Sequence, residues 1–223
     1  MWGLTNKKTL SLKAFNDYLS DRYLFHLHTF YTDGKLSVED HFRFCTENGV
    51  KTLMFTEHVR KELKYSFRDF VAEIKACGKK YSEVNYLIGA EAKILPGGGL
   101  DIPEEILNDI SLIAFACHGF PDNTNLWFDS FSKLFEDKRW KNYYRVYVHP
   151  GRFLQKRNWL EDHTPLLEKL IQKAISEGVY VEQNKREMLP PASIILPSDK
   201  SIVGFDIHRK EDFEKVLTYF QGR

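Results

Sequence analysis

Residues 23–34 read Tyr-Leu-Phe-His-Leu-His-Thr-Phe-Tyr-Thr-Asp-Gly, a short apolar run that ends in His26-Leu27-His28 and breaks at Thr32-Asp33-Gly34. The run has the composition of a buried strand, and the polar segment after it has that of a turn. Residues two apart on an extended strand end lie on one face, so His26 and His28 are expected to point the same way. The pattern of an apolar run closed by a polar residue recurs along the chain. Lys51–Thr56 runs into Glu57-His58, Asn85–Glu91 ends in its carboxylate, and Ser111–His118 ends in His118-Gly119. Tyr144–His149 runs into Pro150-Gly151, Val179–Asn184 ends in Glu182-Gln183-Asn184, and Ser201–Asp206 continues to His208. Helical periodicity fills the intervals, at Leu10–Ser20, Val38–Asn48, Ser66–Tyr81, Leu126–Trp140, Thr164–Glu177 and Glu211–Phe220. Gly49 and Gly178 stand where helix C-caps belong.

Strands alternating with helices predict an α/β chain of parallel βα units, either a barrel or an open doubly wound sheet. No G-x-G-x-x-G or phosphate-loop motif follows any of the strands, which counts against dinucleotide and P-loop binding. No linker, repeat or charge block divides residues 1–223, so a single domain is expected, with a helical extension at roughly residues 1–22. The 223 residues are enough for one barrel, and 43% hydrophobic with 28% charged residues describes a globular chain. A formal charge of +1 argues against a strongly basic coat protein. The longest apolar run, Leu112 to Cys117, is far too short to span a bilayer. The N-terminus has no apolar core of signal-peptide length. Cys45, Cys77 and Cys117 are widely spaced and read as free thiols, which points to a reducing cytoplasm.

Six of the eight histidines, His26, His28, His58, His118, His149 and His208, fall at or just past the C-terminal ends of expected strands. In a βα barrel those ends converge on one face, where sites are built. Imidazoles with nearby carboxylates are the ligands of divalent zinc, manganese and iron, so a metal centre is expected. His41 and His163 fall in or beside helices and read as surface or capping residues. Basic residues follow the same strand ends: Arg60, Lys93, Arg152, Lys185, Arg186 and Arg209. Arg60, Arg152 and Arg209 come within three residues of a candidate ligand and are the preferred phosphate binders.

In order, the His-x-His opening, the Asp33-Gly34 turn, Thr56-Glu57-His58, Glu91, His118, His149-Pro150-Gly151 and Asp206-x-His208 resemble the motif set of the PHP (polymerase and histidinol phosphatase) superfamily. The stretch from Glu91 to Glu105, and His149 to Arg157, are most similar to the PHP domains of bacterial X-family DNA polymerases and their standalone relatives. The resemblance implies a distorted TIM-like (β/α)7 barrel with a di- or trinuclear centre of two to three divalent ions. His26, His28, Glu91 and Asp206 would hold one ion, with Glu91 bridging to a second held by His118 and His149. Asp33, His58 and His208 would hold the third. Phe205, Ile207 and Glu57 depart from the usual residues beside these motifs, and Asp33 stands where some members have histidine. No polymerase activity is expected of a chain of this length.

The activity implied is that of a metal-dependent phosphoesterase, with a metal-bridging hydroxide attacking a phosphate ester, and a small phosphomonoester is the leading substrate class. A nuclease-like phosphodiesterase acting on DNA ends or single strands is the alternative. It is supported by seven basic residues and no acidic one between Lys138 and Leu160, interleaved with aromatics. An amidohydrolase-like C–N or C–O hydrolase and a non-enzymatic metal-binding barrel remain further alternatives. Cys117 reads as a buried strand residue rather than a nucleophile.

Overall fold

The computed structural model describes residues 12–222, so residues 1–11 of the expected N-terminal extension lie outside the described residues. The strands are β1 (Tyr23–Leu27), β2 (Thr52–Val59), β3 (Asn85–Ile94), β4 (Leu100–Asp101), β5 (Leu112–Ala116), β6 (Tyr144–Tyr147), β7 (Tyr180–Asn184) and β8 (Ser201–Gly204). The α-helices are α1 (Leu12–Ser20), α2 (Val38–Asn48), α3 (Phe67–Lys80), α4 (Thr124–Glu136), the single turn α5 (Arg152–Gln155), α6 (Thr164–Ser176) and α7 (Asp212–Gln221). Parallel pairing runs β1-β2-β3-β5-β6-β7-β8. Three main-chain bonds draw the ends of this sheet together: Phe205 N to Phe25 O (3.2 Å), Ile207 N to His26 O (2.9 Å) and His28 N to Ile207 O (3.0 Å). The sheet is thereby nearly closed into a TIM-like α/β barrel.

The barrel is distorted because two crossovers, β3 to β5 and β7 to β8, carry only short 3-10 turns in place of an α-helix. Strand β4 was not expected. It folds back antiparallel on β3 through the turn at Gly97 and Gly98, both with positive φ. The expected helix Leu126–Trp140 is interrupted, because Asp137 takes an extended conformation after α4 and its side chain accepts from Arg139 N, opening a new turn. Elsewhere local chemistry works as read. Ser37 and Asp40 form a reciprocal cap on α2, and Gly49 closes that helix in the left-handed region.

Two apolar layers form the core. The larger lies between the strands and the outer helices. The smaller fills the barrel itself, with Phe25, Met54, Leu87, Leu112, Tyr144, Tyr180 and Ile202. Helix α1 covers the N-terminal end of the barrel. Phe15 is fully buried there, stacked on Tyr144 at 4.3 Å and edge-on to Tyr180 at 4.8 Å, while the Tyr180 hydroxyl donates to Asn16 Oδ1. Replacing Phe15 with alanine is expected to lower stability by about 3–5 kcal/mol, measured by urea denaturation. A loss below about 1 kcal/mol would show that α1 is not held by this ring.

Along β2, β3, β5 and β8, side chains inside the barrel alternate with outward ones. The inward rows continue from Met54 to His58, from Leu87 to Glu91 and from Leu112 to His118, while Asp206 and His208 follow the end of β8, past the inward-facing Ile202. The apolar filling therefore gives way to polar groups only at the C-terminal mouth.

Candidate metal centre

All nine sequence-predicted ligands meet at that mouth. Glu91 is fully buried at the centre. Its Oε2 lies 3.3 Å from His26 Nε2, 3.3 Å from His28 Nε2 and 3.2 Å from His58 Nδ1. Its Oε1 lies 2.6 Å from His118 Nε2 and 3.9 Å from His149 Nδ1. Asp206 reaches His26, His28, His149 and His208 at 3.4–3.6 Å. Asp33 Oδ1 joins His58 Nε2 at 3.4 Å to His208 Nε2 at 3.3 Å.

His26 and His28 share the centre for a reason other than simple alternation. His26 sits at φ 71° where the β1–β2 register slips between Phe25 and Leu27, so it is the extra residue of a bulge rather than part of an extended strand. His149 at φ 45° and Asp206 at φ 52° are likewise left-handed. Asp33 is delivered by a turn in which Thr32 N and Gly34 N both donate to Thr29 O. A β-carbon at Gly34 would lie 2.6 Å from the His28 carbonyl carbon and oxygen, so only glycine lets this turn close on the strand end.

Burial and charge pull against each other here. Burial alone would lower His26, but Glu182 and Asp206 overcome it and lift its pKa to about 10. His28 is raised in the same way, burial being outweighed by Asp206, Glu57 and Glu91. Burial would raise Glu91 and Asp206, yet the surrounding histidines hold both well below the carboxylate range. Asp33 is lowered by its contacts with His208 and His58. Burial lowers His118. The centre thus favours positive charge, which protons supply in the metal-free chain.

The residues present fit divalent metal. Four buried ring nitrogens, His28 Nδ1 and Nε2, His58 Nδ1 and His149 Nδ1, have no hydrogen-bond partner. Most imidazole-to-carboxylate gaps exceed hydrogen-bond length while remaining within reach of a shared ion. Ligand atoms gather within 4.8 Å in the groups His28–Asp33–His58–His208, His26–His28–Glu91, His58–Glu91–His118 and His26–His149–Glu182.

Two carboxylates that sequence reasoning did not place in the site flank it. Glu57 is fully buried, accepts from Thr29 N at 2.9 Å and from the Thr29 and Thr32 hydroxyls, and lies 3.7 Å from His28 Nδ1. Glu182, equally buried, lies 2.6 Å from His26 Nδ1. Their signal in the sequence was an acidic residue on, or directly after, an expected strand. His41 is fully buried rather than at the surface, with Nε2 bonded to the His28 carbonyl at 3.2 Å, because α2 packs that face against β1 and β2. His163 precedes α6 in the capping position, as expected.

Above the centre lies an open cavity of about 1070 Å³. Arg60, Arg152 and Arg209 all line it, and Lys93 and Lys185 do not. Arg186 lines it as well, ranked behind those three by sequence spacing. Its Nη1 donates to Asp206 O at 3.1 Å and lies 2.5 Å from His208 Nδ1. Arg152 bridges His149 Nε2 at 3.5 Å and Glu187 at 3.3 Å. Tyr31, Leu63 and Tyr65 form one wall.

The span from Lys138 to Leu160 does not form one groove. Lys138, Arg139, Lys141 and Arg145 precede or open β6 at the far end of the barrel, whereas Arg152, Lys156 and Arg157 follow its C-terminal end. Arg139 pairs with Asp137, Lys141 with Glu177 and Arg157 with Asp122, while Arg145 is buried and bonded to the Phe135 carbonyl. Trp140, Tyr143, Tyr144, Tyr147 and Phe153 are core residues. Cys117 is half-buried just past β5, and burial pushes its thiol up to about 12, so it stays protonated. No helix among the described residues is long and apolar enough to cross a membrane.

A family model described as the PHP domain matches residues 25–186. The DNA polymerase/3'-5' exonuclease PolX of Bacillus subtilis (strain 168) is 24% identical over 170 residues; the alignment takes in 71% of this chain and 28% of that protein, so the chain spans little more than a quarter of its relative. Histidinol phosphate phosphatase from Lactococcus lactis subsp. lactis, solved with zinc, L-histidinol and phosphate, superposes with a TM-score of 0.59 at 13% identity, over 91% of this chain and 93% of that one. An amidohydrolase II structure superposes with a TM-score of 0.50 at 13% identity, over 89% and 91%. At such identities the two structures attest the fold alone. The family match covers most of the chain, from the His-x-His strand through β7, and on that ground this chain belongs to the PHP domain family.

Proposed function

We propose that this chain is a metal-dependent phosphoesterase that hydrolyses a small phosphomonoester. The observation that carries the reading is the nine-residue histidine and carboxylate cluster at the floor of a cavity whose rim is rich in arginine and lysine. His26, His28, Glu91 and Asp206 would hold one ion, His118 and His149 a second shared through Glu91, and Asp33, His58 and His208 a third. Bound divalent ions supply water activation and take up charge that develops on a phosphoryl group.

The chain's own residues do the rest. Arg152 and Arg186, beside His149 and His208, are placed to bind phosphate oxygens from the rim. Arg60 and Arg209 stand further out on the same rim. Tyr31 and Tyr65 turn their hydroxyls to Glu73 and the His58 carbonyl, which leaves ring surface to pack against the leaving group. Protonated Cys117 is not used as a nucleophile. The cavity suits a small molecule, and the splitting of the basic span weakens the extended nucleic-acid reading. A second reading, a nuclease-like phosphodiesterase acting on DNA ends or single strands, is favoured by the similarity to the exonuclease PolX.

The deciding experiment supplies zinc or manganese to the purified protein and compares a phosphomonoester panel with end-labelled single-stranded DNA. Release of phosphate from small esters, with the DNA left intact, is the expected result. Shortening of the DNA without turnover of any monoester would replace the first reading by the second.

A further inference from the structure

His26 and His149 both occupy the left-handed region, at φ 71° and 45°. A residue with a β-carbon rests there only when its surroundings hold it. Glu91 and Asp206 lie near both, and Glu182 is hydrogen-bonded to both. Glu182 on β7 accepts from His26 Nδ1 through Oε1 at 2.6 Å, and from the main-chain N–H of His149 through Oε2 at 2.8 Å. Asn184 Nδ2 donates to the same Oε2 at 3.2 Å. Because Nδ1 faces Glu182, His26 turns Nε2 the other way, to 3.3 Å from Glu91 and 3.6 Å from Asp206. Glu182 therefore stands behind the imidazole, on the side away from the centre.

The space for it is made on the neighbouring strand. Asn184 pairs with Gly204 on β8, and a β-carbon at Gly204 would fall 1.8 Å from Glu182 Oε1. The carboxylate is fully buried, with no open side to retreat to.

We propose that Glu182 is a positioning residue that sets the tautomer and aim of His26 and the main-chain turn at His149, and that position 204 is glycine to admit its carboxylate. The proposal rests on the metal-centre reading above, and it adds two residues that are not themselves ligands. A buried carboxylate behind a ligating histidine fixes the ring and raises its basicity.

Nitrogen-15 NMR on the zinc-loaded wild-type protein tests the geometry without a variant. The expected spectrum has a proton on His26 Nδ1, shifted downfield by the carboxylate, and none on Nε2; a proton on Nε2 would overturn the proposal. Glu182→Gln keeps the volume but trades one acceptor oxygen for a donor, so it can serve His26 or His149 but not both. Zinc affinity, measured by competition with a chelator, is expected to fall on the order of 10–100-fold with the number of equivalents at saturation unchanged. Gly204→Ala, which alters no polar group, is expected to weaken zinc in the same direction and to abolish the downfield proton. Affinity within about twofold of wild type in both variants would overturn the role assigned to Glu182, against the 10–100-fold typical of such partners. Loss of a whole equivalent of zinc at saturation in Glu182→Gln would do so too, by making Glu182 a ligand. Wild-type protein that binds no zinc would instead overturn the metal-centre reading itself.

Discussion

Glu91→Gln is expected to strip the protein of bound metal and to cut phosphoester turnover by at least ~10²–10³-fold, the scale seen when one element of preorganised electrostatic stabilisation is removed. The reason is its place in the cluster. The two oxygens of Glu91 face ring nitrogens of five histidines, His26, His28, His58, His118 and His149, brought in from four different strand ends. No other carboxylate among the described residues can be shared so widely, and an amide offers one neutral acceptor where the carboxylate offers two charged ones. The metal-free fold should suffer too. Losing the central anion of a buried charge cluster costs about 3–5 kcal/mol in systems of this kind. Elemental analysis together with steady-state assays checks the outcome. A Glu91→Gln protein that kept its full metal content and most of its turnover would show that the centre is built around some other group.

Chelation should produce the second large effect, and its dependence on pH follows from the electrostatics. At free metal a thousand times the dissociation constant, binding stabilises a fold by about 4 kcal/mol, so stripping it should lower the melting temperature by about 10 °C for a chain of this size. Metal must displace protons, because a ligating imidazole nitrogen is unprotonated. Burial would lower His26, but Glu182 and Asp206 lift it to about 10, so near neutral pH the metal-free protein holds an extra proton there. The sign is therefore fixed: metal binding releases protons, and affinity falls as pH falls. For each proton released, affinity should change about tenfold per pH unit below the pKa of about 10. Calorimetric titrations in buffers of different ionisation enthalpy count the protons directly. Affinity that stayed flat between pH 6 and 8 would show that the metal-free cluster carries no displaceable proton.

Much of the candidate site was legible because its signal is local. His58, Glu91 and His118 continue the inward rows of their strands, and Asp206 and His208 follow directly after one, so an apolar run with a polar terminus marked them. Arg152 and Arg209 could be placed at the mouth by distance from a ligand along the chain. Arg186 was harder to rank, since it comes after a strand end with no ligand of its own and reaches His208 only because β7 and β8 are neighbours. The Lys138–Leu160 span failed as a groove for a physical reason. Strand β6 crosses the barrel from end to end, so the residues before it lie at the N-terminal end and those after it at the C-terminal mouth. A run continuous in sequence is thereby divided in space.

By itself the sequence determined the alternation of strands and helices, the helix caps, and which residue types gather at the strand ends. These depend on side-chain periodicity and short-range hydrogen bonding, both of which are written along the chain. Only the tertiary structure decided how the barrel nears closure, how His26 and His149 turn inward through left-handed backbone, and which buried carboxylates stand behind the candidate ligands. Those outcomes depend on contacts between strands far apart in sequence: β8 against β1, and Glu182 against His26, His149 and Gly204. A left-handed histidine is costly in isolation, so nothing local could announce it. It persists because distant carbonyls and carboxylates hold it, and these meet it only when the barrel has formed.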